Sequence, residues 1–168
     1  MPTHFKGCKE DVTALNAYIN LIRASDSLMA RLTAQLESEG LTAGQFGILE
    51  ALYHLGPMCQ KTLGEKLLRS GGNITLIVDN LEKHGMVLRE RQTDDRRKVL
   101  IRLTQAGKAT IERVLPAHVE AIANEMRRLT PAEQEELRRL CRKLGKRGTE
   151  ASRQRLEKET DNAASKTE

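Results

Sequence analysis

The sequence predicts a mainly α-helical fold interrupted once by a small β-hairpin, an α+β arrangement, and three observations carry that prediction. Aromatics make up only 2% of the 168 residues and Trp is absent, whereas the good helix formers Leu, Ala, Glu and Arg abound. Apolar residues recur at helical spacing along most of the chain, between recognisable start and stop signals. In one place only, after Gly85, the spacing switches to two. The length favours one domain over two and suffices to bury a core.

Residues 11–38 read as one long helix, with Leu15, Tyr18, Ile19, Ile22, Met29, Leu32 and Leu36 in roughly helical register and Gly40 as the stop. Thr42-Ala-Gly-Gln45 has the form of a capping box and opens a second helix, closed by Gly56-Pro57. A short third helix covers about residues 60–68. Ser70 is the expected N-cap of a fourth, which ends at Gly85 and carries a buried stripe of Ile74, Ile77, Val78 and Leu81. Val87, Arg89 and Arg91 then alternate with Leu88 and Glu90, and Val99, Ile101 and Leu103 with Leu100 and Arg102. These period-two stretches flank the polar turn 92–98 and describe a hairpin. Thr104 caps a helix expected to reach about Arg128 with a bend at Pro116. Thr130-Pro131-Ala132-Glu133 unites a capping box with Pro at the first helical position and starts the last helix, to about Gly145. Residues 148–168 are mixed in charge and poor in large apolar groups, and are expected to be a frayed or disordered tail.

Composition excludes several classes. No run approaches the roughly 20 apolar residues of a membrane span, and the first nine residues do not read as a secretory signal. Cys8, Cys59 and Cys141 lie far apart without a C-x-x-C pair, which argues against a disulfide framework and against structural zinc. The four histidines, His4, His54, His84 and His118, show no ligand spacing, so neither metal nor cofactor is expected. No Cys/His/Asp grouping suggests a nucleophile with its base, so an enzyme is not expected. The simplest location is cytoplasmic. The net charge of +5 is mild but unevenly spread. Residues 1–59 hold 4 basic and 6 acidic groups, whereas 60–105 and 106–149 each hold 10 basic and 6 acidic.

A short helix, a tight turn, a second helix and a hairpin form the winged helix-turn-helix arrangement, which places one helix in a DNA major groove. The start of the fourth helix, Ser70-Gly71-Gly72-Asn73, allows backbone N–H groups to approach a phosphate. Opposite the apolar stripe lie Asn73, Thr75, Leu76 and Asn80, which could contact base edges, phosphates and a thymine methyl. An ordinary solvated face would look much the same. The hairpin adds Arg89, Arg91, Arg96, Arg97, Lys98 and Arg102 against Glu90, Asp94 and Asp95, and a slim basic turn suits a minor groove. Scarce aromatics argue against stacking on single strands, which leaves duplex DNA.

Three stretches in order and spacing, Asn80-Leu-Glu-Lys-His-Gly-Met-Val87 with Arg89, Thr93-Asp-Asp-Arg-Arg-Lys-Val99, and Leu103-Thr-Gln-Ala-Gly-Lys108, resemble the MarR-type transcriptional regulators. With the element order, the resemblance spans about residues 11–147. It implies a DNA-binding lobe at about 42–105 and dimerisation helices at about 11–38 and 105–147. By this likeness Asp95 and Arg97 match the family's wing motif, the Arg entering the minor groove and the Asp orienting the wing. It also implies a homodimer, probing a pseudo-palindromic operator, and a small-molecule or redox signal. The dimer has separate support, because the first helix and the last two carry more apolar periodicity than one small winged domain can cover.

The expected regulator is a repressor relieved by a phenolic-type ligand or by oxidation. Cys8, beside Lys6 and Lys9, is the redox candidate, set against an ordinary terminal thiol. His118, in Leu115-Pro116-Ala117-His118, resembles a Pro-x-His element of relatives that respond to phenols or quinones, set against a half-buried His at a helix bend. Cys59 is expected to pack at a helix start and Cys141 in an interface. The alternative function is a helical interaction module that presents its basic patch to an acidic partner.

Overall fold

The structure, a computed structural model, describes residues 3–67, 71–91 and 99–145. Ser70, the hairpin turn with Asp95, Arg97 and Lys98, and the tail at 148–168 lie outside the described residues. The chain divides into two compact units, Met1–Ala123 and Asn124–Glu168.

In the first unit, helix α1 spans Lys9–Ser38. It ends where the N–H of Gly40 donates to Glu37 O and that of Leu41 to Leu36 O, with Gly40 at φ +75°. This paired closure needs a left-handed residue, which is why Gly stands there. Helix α2 (Ala43–Leu55) opens on the expected capping box: Thr42 Oγ1 accepts from Gln45 N at 3.2 Å, and Gln45 Oε1 accepts from Thr42 N at 2.8 Å. Helices α3 (Gln60–Leu67) and α4 (Gly71–Lys83) follow. Ile74, Val78 and Leu81 of α4 are fully buried and Ile77 is half-buried, so the apolar stripe faces the core as its spacing implies. Gly85, at φ +68°, repeats the closure of α1, with Gly85 N donating to Glu82 O and Met86 N to Leu81 O.

Strands β1 (Val87–Arg91) and β2 (Val99–Leu103) pair antiparallel, with Val87 opposite Leu103 and Arg91 opposite Val99. A third contribution was not expected. Met58, between α2 and α3, exchanges two backbone hydrogen bonds with Ile101, at 3.2 and 2.9 Å. The inner strand of the hairpin is thereby joined to the helix-turn-helix.

Helix α5 (Gln105–Met126) runs unbroken past Pro116. Thr104 caps it by accepting from Gly107 N at 3.0 Å, while its own hydroxyl donates to Gly85 O at 2.6 Å and its N–H to Met86 O at 3.1 Å. One residue therefore stitches the start of α5 to the turn between α4 and β1. Gly107 makes that approach possible: a Cβ there would stand 1.9 Å from Met86 O. The core of this unit draws on all five helices and both strands, with Leu36 of α1, Ile48, Leu49, Leu63, Ile74, Val87 of β1, Ile101 and Ile111 among its sealed side chains.

In the second unit, residues 131–145 form helix α6. Thr130 N donates to Glu133 Oε2 at 2.8 Å and Glu133 N to Thr130 Oγ1 at 3.3 Å, the capping box read from the sequence. Leu137, Leu140, Leu144 and Cys141 are exposed along it. Among the described residues no helix is long and apolar enough to cross a membrane, and no group of three or more His, Cys, Asp or Glu could hold a metal ion.

Candidate nucleic-acid interface

Helix α4 presents Gly71, Gly72, Asn73, Thr75, Leu76 and Asn80 to the outside, as the stripe requires. Leu76 is 71% exposed, the most exposed large apolar side chain among the described residues. A Cβ at Gly71 or Gly72 would meet nothing within 4 Å among the described residues.

The four side chains singled out do not form one uniform face. Asn80 lies on the edge beside α2, where its Oδ1 accepts from Gln45 Nε2 at 2.5 Å, and Asn73, two turns earlier, shares that side of α4. Thr75 lies on the edge beside α3: its hydroxyl donates to Gly71 O at 3.1 Å and accepts from Gln60 Nε2 at 3.3 Å. Leu76 and Asp79 occupy the middle. Both flanks of α4 are thus held by a glutamine from a neighbouring helix, a role that Gln45 and Gln60 do not announce in the sequence.

Asp79 is a carboxylate on a surface read as DNA-facing, where it would repel phosphate. Arg89 of β1 answers it. Its guanidinium meets Asp79 Oδ1 at 2.5 Å and pairs with Glu82, while its backbone N–H donates to Glu82 Oε1 at 3.0 Å. Burial opposes the charge of Arg89, but the hydrogen bonds to Asp79 and Glu82 outweigh it, so the proton is held more firmly than usual. Arg89 therefore ties the hairpin to α4 rather than reaching outward. Arg102 is likewise paired across the strands, with Glu90 Oε2 at 2.9 Å. Arg91 is exposed at the end of β1, where the strand enters the turn.

Cys8 is exposed at the N-cap of α1 and makes no side-chain cap bond. Cys59 is half-buried before α3, with Thr62 Oγ1 3.2 Å from its sulfur, and hydrogen bonding from Thr62 pulls the thiol below its ordinary range. His118 is only 8% exposed, deeper than the half-buried position expected. Its Nδ1 lies 2.9 Å from Gln35 Oε1 of α1, and its ring is 4.4 Å from that of Phe46 of α2. Burial disfavours the charged imidazolium and Glu50 offsets this only in part, so His118 is depressed below the usual histidine range.

A helix-turn-helix whose second helix is exposed along one side, with a paired hairpin fastened to it, defines a winged-helix DNA-binding protein. A family model described as MarR family matches residues 41–99. The HTH-type transcriptional regulator YkoM of Bacillus subtilis (strain 168) is 33% identical over 132 residues, covering 79% of this chain and 86% of that protein. The crystal structure of a probable transcriptional regulator from Pseudomonas aeruginosa is 32% identical, with a TM-score of 0.69, covering 75% of this chain and 94% of that one. BpsR of Bordetella bronchiseptica, whose DNA binding is regulated by 6-hydroxynicotinic acid, is 26% identical with a TM-score of 0.70, over 77% and 98% of the two chains. The chain belongs to the MarR family of transcriptional regulators. It is accordingly a regulator of transcription and not an enzyme.

Proposed function

We propose that the protein is a cytoplasmic, homodimeric repressor that binds a pseudo-palindromic operator in double-stranded DNA and is released by a phenolic-type ligand or by oxidation. The observation that carries the DNA reading is the α4 surface, an exposed Leu76 between hydrogen-bonding edges, with its one central carboxylate neutralised by Arg89. In this reading Ser70, Gly71, Gly72, Asn73, Thr75, Leu76 and Asn80 meet the major groove and its phosphates. Arg91, Asp95, Arg97 and Lys98 form the wing contact.

The dimer is supported by exposed apolar groups at helical spacing on α1, Tyr18, Ile22 and Met29, and by Leu137, Leu140 and Leu144 on α6. A second copy would cover them, and a two-fold axis would set two α4 helices on successive turns of DNA. The ligand reading draws on His118, which joins α1, α2 and α5 through Gln35 and Phe46, and on the hydroxylated aromatic acid that regulates BpsR. The oxidation reading draws on the exposed Cys8.

Selection of bound genomic fragments tests the core of this, repeated with phenols and with oxidant. The expected result is one palindromic motif, bound about uniformly more weakly by Arg97→Ala, with the salt slope reduced by about 1 per wing. Equal retardation of random and selected duplexes at every salt concentration refutes it, and would favour a module for an acidic partner. Release by oxidant that persists in Cys8→Ser removes Cys8 from the signal.

A further inference from the structure

We infer that Gln45 is a positioning residue that sets which end of the Asn80 amide faces DNA, so that Asn80 engages the duplex through its Nδ2 donors. The inference rests on the reading of α4 as the DNA-reading helix and specifies what one of its side chains can recognise.

The polarity follows from a chain of hydrogen bonds that begins at an atom of unambiguous character. The backbone N–H of Thr42 can only donate, so the Gln45 atom 2.8 Å from it is the carbonyl oxygen Oε1. The other end of that amide is then Nε2, which can only donate, so the Asn80 atom 2.5 Å from it is Oδ1. The Asn80 Nδ2 is left on the side away from α2, and no described residue accepts from it. A capping box, which exists to close the start of α2, thereby dictates the orientation of a side chain 35 residues further on.

The consequence is selective. A free asparagine turns its amide over at little cost and can offer either a donor or an acceptor. Asn80, pinned through Oδ1, offers donors to whatever approaches α4. The acceptors within reach in the major groove are phosphate oxygens, the N7 of either purine, guanine O6 and thymine O4, whereas the amino groups at cytosine N4 and adenine N6 are donors and are refused. Asn73, on the same edge of α4, has no such restraint among the described residues, so the two asparagines differ in what they can read.

Gln45→Glu provides the test, because a glutamate retains the acceptor for Thr42 N–H but has no donor for Asn80. Asn80 must then turn Nδ2 inward and Oδ1 outward. Operator affinity is measured for wild type, Gln45→Glu, Asn80→Ala and the double variant, with melting temperatures as the control for folding. Asn80→Ala should weaken binding about tenfold, the scale of one good contact. Gln45→Glu should cost about tenfold more in the wild-type background than in Asn80→Ala, where only the added charge is felt. Equal costs in the two backgrounds overturn the inference while leaving Asn80 as a DNA contact. Undiminished binding by Asn80→Ala also overturns it. Loss of binding by none of Asn80→Ala, Leu76→Ala and Arg97→Ala would instead refute the DNA-reading surface as a whole.

Discussion

Replacing Gly107 with alanine places a methyl group in the tightest backbone approach of the fold. The new Cβ would stand 1.9 Å from Met86 O and 2.9 Å from Met86 C, against an ordinary contact of 3.4 Å or more. Something must yield by about 1.5 Å, the difference between the first and last of those distances. The obstacle is backbone, and it is held from several sides. Met86 N donates to Leu81 O at 2.9 Å, Met86 O accepts from Thr104 N at 3.1 Å, and the neighbouring Gly85 is committed to φ +68°. Alanine gains about 1 kcal/mol over glycine within a helix. Against this stand overpacking, about 1–3 kcal/mol and more when backbone must move, and the Thr104–Met86 hydrogen bond, about 1 kcal/mol. The net expectation is a loss of about 1–3 kcal/mol, or about 5 °C in melting temperature for a chain of this size. Urea and thermal unfolding followed by far-UV circular dichroism measure it. Gly72→Ala is the control, since among the described residues nothing lies within 4 Å of its added methyl and its stability should equal or exceed the parent by about 0.5 kcal/mol. A Gly107→Ala variant as stable as the parent would refute the steric argument.

Arg89→Met keeps the apolar stem but strands Asp79 and Glu82 side by side, and should cost about 1–2 kcal/mol of stability and weaken operator binding more than tenfold. An unchanged urea midpoint would count against the tie between β1 and α4. His118 has a folded-state pKa below its unfolded value, so the neutral form is the one the fold prefers. Stability is then fully present above about pH 6.5, the unfolded value, and declines as pH falls towards the depressed folded value. The decline in wild type over that window should be steeper than in His118→Gln, and parallel profiles would contradict the burial of His118. Thr42→Ala removes one half of the α2 capping box and should cost about 1 kcal/mol, yet leave the selected operator unchanged, because the Thr42 N–H that orients Gln45 survives. A changed operator would show that the hydroxyl, not the N–H, governs Gln45.

The elements whose cause is local were readable from the chain. Both capping boxes, at Thr42 and Thr130, and both glycine closures, at Gly40 and Gly85, fall where short-range patterns place them, and the two strands carry the residues that alternation predicts. What escaped depends on partners far apart in sequence. Met58 has no neighbours of matching period, so its pairing with Ile101 leaves no trace in a window. Arg89 looks like one more wing cation until Asp79 and Glu82, ten and seven residues earlier, are brought beneath it. Gln45 was already accounted for as a cap residue, and only its second amide atom carries the link to Asn80. His118 meets Gln35 across 83 residues, a contact that packing alone creates.

The two hydrogen bonds between Met58 and Ile101 bear on how such a protein can be switched. Together with Arg89 and Thr104 they bolt the two strands, the turn between α4 and β1, and α4 itself into a single mechanical part. A part of that kind has few internal hinges to offer a signal. In a dimer of such parts the adjustable quantity is the spacing between two finished reading heads, in the manner of a pair of dividers. Under the proposed function a ligand would not need to disturb any side chain of α4 to abolish binding, since setting the points slightly too wide or too narrow for one turn of the duplex would be enough.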